Sequence, residues 1–155
     1  MAIRVKLSDI IEGLESQTDE SCTFLNKQTG KVVLITDEET RAAEDDEPIE
    51  DFPEWQQPLI KIAKEIEKTD NYIPLPTKFD IDEYRIMEDF CLSINDANMC
   101  DIFCRLIKGG GAFRRFKDAL YEYGISDDWH KYRADALKQI AIDWCQENNI
   151  EFDAA

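Results

Sequence analysis

The stretch GAFRRFKDALYEYGISDDWHKYRADALKQIAIDWC, Gly111–Cys145, decides the fold class. Phe113, Phe116, Leu120 and Tyr123 recur at helical spacing, and Gly124 stands where a helix closes on a left-handed residue. Ser126 then serves as the N-cap of a second helix. Asp127 and Asp128 fall in its first turn, where carboxylates face the positive end of the helix dipole. Trp129, Tyr132, Ala136, Ile140 and Trp144 mark its inner face. Only a short turn, Gly124–Ser126, joins the two helices, so they are expected to be antiparallel neighbours with their aromatic stripes packed together.

Working back from there, the helical pattern persists. Met99, Ile102, Phe103 and Leu106 form a stripe behind Asn95 or Asp96 as cap, and Gly109–Gly111 end it. Tyr84, Met87, Cys91 and Ile94 form another behind Asp80. Leu59, Ile62, Ala63 and Ile66 form a third. Near the start, Ser8 caps a short helix to Gln17 with Ile10, Ile11 and Leu14 on its apolar face. Strand chemistry is concentrated in SCTFLNKQTGKVVLIT, Ser21–Thr36. Two apolar runs, Thr23–Leu25 and Val32–Ile35, flank the turn Asn26–Gly30, in which Gly30 supplies a positive φ. NYIPLP, Asn71–Pro76, is extended, because residues before proline avoid the helical region.

These readings predict an α+β fold, mainly α. An N-terminal helix and β-hairpin precede a helical bundle of about five helices. The length of 155 residues fits one domain over 1–155. Within it, residues 37–54 form an acidic linker or surface segment. DEETRAAEDDEPIED has little to bury, so a short polar helix or a mobile connection is expected there. Pro48, Pro53 and Pro58 follow around Trp55.

The formal net charge is −16. Such a surface repels phosphate backbones, so nucleic acid is excluded as a partner except through a local basic patch. The five cysteines, Cys22, Cys91, Cys100, Cys104 and Cys145, are odd in number, and a domain of this length needs no disulfide scaffold. The segment MAIRVKLSDIIEGL lacks the apolar core of a signal peptide. No uncharged apolar run reaches the roughly 18 residues a membrane span requires. Together these predict a cytoplasmic protein with no membrane association.

One segment breaks the acidic pattern. RLIKGGGAFRRFK carries Arg105, Lys108, Arg114, Arg115 and Lys117 with no acid among them. Gly110 and Gly111 precede a helix, and backbone N–H groups at a helix start can hold an anion. The spacing matches neither the GxxxxGK[ST] loop nor a strand-borne GxGxxG. The alternative reading is that the glycines separate two helices while the arginines pair with the abundant carboxylates. Cys100 and Cys104, four apart on one helix, share a face. With one histidine, His130, and no CxxC pair, no metal or other cofactor is expected, and the thiols read as small core residues. His130 beside Asp128 suggests acid–base work, but nothing marks an activated thiol and no GxSxG elbow is present. No catalytic residue stands out. Trp55, in a proline-rich acidic stretch, reads as an exposed anchor of the kind found at protein interfaces.

Three phrases carry a resemblance: FLNKQTGKVVLITDEE (Phe24–Glu39), YIPLP with DIDEYRIMEDF (Tyr72–Phe90), and GGGAFRRFKDALYEYGISDDWHKYR onward to AIDWCQENNI. They resemble an uncharacterised bacterial family of the UPF type over most of the chain, GAFRRFKD and W-x-x-YR (Trp129–Arg133) being the most specific parts. The family pattern carries Arg where this chain has Gly110, which removes one positive group from the anion reading. The resemblance implies a small cytosolic bacterial protein and brings no activity, cofactor or catalytic residue.

The functional expectation is therefore an interaction or regulatory protein that is not an enzyme and binds a protein partner. Its anion- or partner-binding residues are Arg105, Lys108, Gly110, Gly111, Arg114, Arg115, Lys117 and Arg133, with Trp55 at a protein interface. Two alternatives stand beside it. One is an acidic nucleic-acid mimic that inhibits a basic protein through Asp37–Glu54. The other is a phosphate- or nucleotide-binding enzyme built on the GGGAFRR helix start.

Overall fold

The computed structural model describes residues 4–153. The N-terminal signal-peptide reading includes Met1–Ile3, which lie outside them. In chain order the elements are β1 (Arg4–Lys6), α1 (Leu7–Ser16), β2 (Ser21–Asn26), β3 (Val32–Thr36), α2 (Asp37–Glu44), a 3-10 turn (Ile49–Asp51), α3 (Gln57–Lys68), β4 (Tyr72–Pro74), α4 (Lys78–Ile81), α5 (Glu83–Ser93), α6 (Ala97–Leu106), α7 (Ala112–Glu122), α8 (Ser126–Glu147) and β5 (Glu151–Asp153). The protein is α+β and mainly α, with the N-terminal helix and hairpin in the expected places. The chain forms two compact units, Met1–Ile81 with Ile140–Ala155, and Asp82–Gln139.

The first unit is organised by the hairpin. β2 and β3 pair antiparallel with Phe24 opposite Val33, and Gly30 closes the turn at φ 76°. The Asn26 side chain accepts from the Gln28 N–H at 2.8 Å, an Asx turn that fixes the loop. Side chains alternate across the sheet. Ile35 faces one side and packs with Ala43 of α2 and Ala63 of α3, together with Phe24, Val33, Leu59, Ile62 and Ile66. The opposite side receives α1, whose Leu7, Ile10 and Leu14 are buried. Gly13 lets that helix approach: a Cβ there would lie 2.9 Å from Val32 Cγ1 and 3.0 Å from Leu75 Cδ2.

The extended NYIPLP segment becomes a third strand, β4 pairing antiparallel with β2. Pro74 is tolerated because β4 is an edge. The indole N–H of Trp144 donates to the Pro74 carbonyl at 3.1 Å. β1 and β5 add a two-stranded parallel pair that the sequence reading did not anticipate. Within the acidic stretch, α2 buries Glu39, Ala42 and Ala43. The Glu39 carboxylate accepts from the Thr36 hydroxyl and, at 3.2 Å, from the Gln56 amide. Thr36-x-x-Glu39 is thus a capping-box sequence whose two side chains bond each other.

The second unit is helical. Asp82 caps α5, its side chain accepting from the Arg85 N–H, and Asp96 caps α6 through the Met99 N–H. The first of these caps was expected at Asp80, which instead lies in α4 and accepts from the Thr77 N–H at 2.9 Å. Ser8 likewise falls inside α1, whose N-cap position is Lys6. In both cases a neighbouring polar residue had a cap-like spacing. An aromatic cluster forms the core of this unit. Phe116 meets the Trp129 ring edge-on at 4.8 Å, and Phe90 meets Phe116, Trp129 and Tyr132 at 5.3–6.0 Å. Of the two stripes, Phe116 of α7 and Trp129 of α8 are in contact. Edge-to-face pairs at these distances add about 0.5–1.5 kcal/mol each beyond simple burial.

Candidate functional site

The basic segment straddles the end of α6 and the start of α7, and its cations have different fates. Arg115 is half-buried, and its guanidinium reaches back over the glycine loop. Nε donates to the Leu106 carbonyl at 2.9 Å, one terminal nitrogen to the Lys108 carbonyl at 2.8 Å, and the other to the Gly110 carbonyl. A cation at the carbonyl end of α6 offsets the negative end of its dipole. Gly111 is required beneath it: its φ is +77°, and a Cβ there would stand 3.1 Å from the guanidinium. Arg115 is thus committed to backbone carbonyls.

Arg105 pairs with Asp101 at 3.1 Å, one turn earlier on α6, and both are exposed. Lys108, Gly110 and Arg114 are exposed as well, and Arg114 makes no ion pair among the described residues. Trp55 is 70% exposed in the first unit. The eight residues of the expected patch therefore do not form one site.

Two of them do come together. Lys117 of α7 and Arg133 of α8 line a cavity of about 240 Å³ with Glu83, Phe113, Phe116, Trp129 and His130. The helical period explains the set. Phe113 and Lys117 are one turn apart on α7, as are Trp129 and Arg133 on α8, so each helix presents a ring and a cation on the same face. Glu83, at the start of α5, accepts from Arg133 and anchors it. Lys117 is exposed and makes no ion pair among the described residues. The cavity combines aromatic side chains with the Glu83–Arg133 ion pair, an imidazole and one ammonium that makes no ion pair among the described residues. Such a lining suits an anionic group carried on an apolar or aromatic stem. The volume is below the roughly 300–1,000 Å³ usual for small-molecule sites, and fits a single side chain better. Sequence reasoning singled out Lys117 and Arg133 but not Glu83, Phe113 or His130 as their companions. The available signal was the four-residue spacing of ring and cation on two adjacent helices.

The thiols lie elsewhere. Burial pushes Cys91 up to about 12, with Cys104 and Cys100 adding to the effect. Burial also pushes Cys104 up, reinforced by its hydrogen bond with Cys100, and burial raises Cys145. A nucleophilic thiol needs a shift in the opposite direction. Among the described residues no cluster of His, Cys, Asp and Glu has the arrangement to hold a metal ion, and no helix is long and apolar enough to cross a membrane.

Comparison with known proteins adds a family to this geometry. No solved structure matches the chain. A UPF0158 protein of Pseudomonas aeruginosa is 27% identical over 129 residues, covering 83% of this chain and 73% of its own length. The model of the uncharacterised protein family UPF0158 matches residues 1–155. The chain therefore belongs to the UPF0158 family.

Proposed function

We propose that this chain is an interaction protein, and that the cavity between α5, α7 and α8 takes an acidic or phosphorylated side chain of a protein partner. One observation carries the reading. In a chain of net charge −16, Lys117, Arg133 and His130 converge on the same aromatic-walled cavity. Ring faces supply contact area at low entropic cost, while the cations select the sign of the guest. Glu83 holds the Arg133 guanidinium in place, so little ordering is left to binding itself. The cavity admits one side chain, so the guest enters as part of a larger segment.

The test uses peptides bearing glutamate, phosphoserine or phosphotyrosine, titrated into the full chain while tryptophan fluorescence is followed. One of them should saturate, and Lys117→Glu should weaken it about tenfold or more. Lys117 is exposed, so the fold should survive the change. Arg114→Glu, on the same helix but outside the cavity, should leave binding within about twofold. Equal binding by the wild type and Lys117→Glu would overturn the proposal, and so would a flat response to all three peptides.

A further inference from the structure

A second surface lies in the first unit and rests on independent observations. β3 is an edge of the three-stranded sheet, in the order β3-β2-β4. Its outward-facing backbone follows from the register. The Asn26 N–H bonds the Lys31 carbonyl, and the Leu75 N–H from the β4 side bonds the Thr23 carbonyl. In an antiparallel pair, residues alternate between those bonded across the pair and those facing away. Phe24–Val33 and Cys22–Ile35 are thus the bonded pairs, and the N–H and C=O groups of Val32 and Leu34 point out from the sheet. Among the described residues they make no other backbone bond. The strand itself, VVLIT, carries no charge and no proline, the devices that normally blunt an edge.

This edge opens on a groove of about 420 Å³ shared with α1. Val32, Val33 and Leu34 line one wall, and Asp9, Glu12, Gly13 and Ser16 the other, with Gly30 and Lys31 at the turn end. Asp9 and Glu12 are exposed and three residues apart, so both project on one face of the helix. Thr23 also lines the groove, and its buried hydroxyl has no hydrogen-bond partner within the described residues. A buried hydroxyl without a partner is unfavourable, and a polar group entering the groove would offset that cost.

We propose that the free edge of β3 takes an extended segment of a partner protein as an added strand, and that this segment carries lysine or arginine at alternate positions. Main-chain bonds to Val32 and Leu34 hold the strand, while every second side chain falls over α1 and meets Asp9 and Glu12. The acidic wall of Asp9 and Glu12 selects the sign of the occupant, and the charge of the whole molecule disfavours a second copy. Two copies at −16 each repel, whereas a cationic segment is drawn in.

Random peptides displayed on phage and selected on the immobilised full chain test this. The enriched sequences should carry Lys or Arg in alternation, and replacing those residues by Glu should weaken binding about tenfold or more. Hydrogen exchange at Val32 and Leu34 should slow in the complex. Leu34→Pro removes an outward N–H while sparing the hairpin ladder, and should abolish binding. Should that variant fail to fold, Asp9→Asn with Glu12→Gln, both at exposed positions, should fold normally and lose the preference for cationic peptides. Four results would overturn the proposal: no enrichment above background, no preference for positive charge, exchange protection confined to other strands, or a self-association that Leu34→Pro removes, which would make a second copy the occupant.

Discussion

Arg114 and Arg115 are adjacent in sequence and identical in chemistry, yet the structure predicts opposite consequences for losing them. Arg115 makes three hydrogen bonds to the carbonyls of Leu106, Lys108 and Gly110. The bonds to Lys108 and Gly110 are exposed, so water replaces the guanidinium there and little is lost. The bond to Leu106 is part-buried. Removing its donor leaves a carbonyl at the end of α6 poorly solvated, and a bond from a charged donor contributes about 1.5–3 kcal/mol. The favourable placement of a cation at the helix C-terminus adds about 0.3–1 kcal/mol. Arg115→Ala should therefore destabilise the protein by about 2–4 kcal/mol. With a urea slope of about 2 kcal/mol/M for a chain of this size, the unfolding midpoint should fall by about 1–2 M. Arg115→Lys should recover only part of this, because one ammonium cannot reach three carbonyls held by a planar fork. Arg114→Ala should stay within about 0.5 kcal/mol of the wild type, as exposed substitutions do. Urea unfolding followed by tryptophan fluorescence measures all three variants. Equal midpoints for Arg114→Ala and Arg115→Ala would refute the assignment of Arg115 to the carbonyls of the glycine loop.

Gly13→Ala should destabilise the first unit, although alanine ordinarily improves a helix interior by about 0.5–1 kcal/mol. The new methyl would press on Val32 and Leu75 at 2.9 and 3.0 Å, and overpacking of this kind costs about 1–3 kcal/mol, so the thermal midpoint should fall by a few degrees. Cys91 links stability to alkaline pH. An unfolded thiol ionises near 9.0, whereas the folded one is pushed up to about 12, so the folded chain keeps a proton that the unfolded chain releases. Its contribution is complete below pH 9 and is lost as pH rises toward 12. Urea midpoints across that window should therefore fall less steeply for Cys91→Ala than for the wild type.

Much of the fold was legible because long helices repeat their signal. α7 and α8 each carry several apolar residues at one period, and the turn between them contains Gly124, at φ 69°. The hairpin was legible for a similar reason, since Asn26 and Gly30 are chemically suited to the turn they make. The three-residue strands were not legible. Arg4–Lys6 and Glu151–Asp153 hold too few residues to show alternation, and each becomes a strand only because its partner lies at the other end of the chain. The buried stripe of α8 was also read incompletely. Leu137, Ala141 and Cys145 are buried there alongside Trp129 and Trp144.

The basic segment shows why composition located a candidate region and missed its design. A run of cations without acids is visible in one dimension, but the partners that distinguish those cations are not. Arg115 is held by main-chain carbonyls, which every residue possesses and which leave no mark in the sequence. Arg133 is held by Glu83, fifty residues away. Lys117 is distinguished by making no ion pair among the described residues while facing rings contributed by two helices. In a chain with 34 acids and 18 bases, an exposed lysine has carboxylates available in excess. Surface pairs contribute only about 0–1 kcal/mol, so stability does little to force such a pairing or to penalise its absence. A lysine facing an aromatic cavity next to an anchored arginine is therefore available to a guest at small cost to the fold. Screening reinforces its local character: at physiological salt the Debye length is about 8 Å, so the acidic exterior beyond that range does little to weaken the cations that line the cavity. The same argument applies with opposite sign at the β3 edge, where Asp9 and Glu12 act over a distance shorter than the screening length. Net charge governs how the whole molecule meets a partner, and the sign within one Debye length of each surface governs which group it accepts. The two surfaces should therefore select guests of opposite charge.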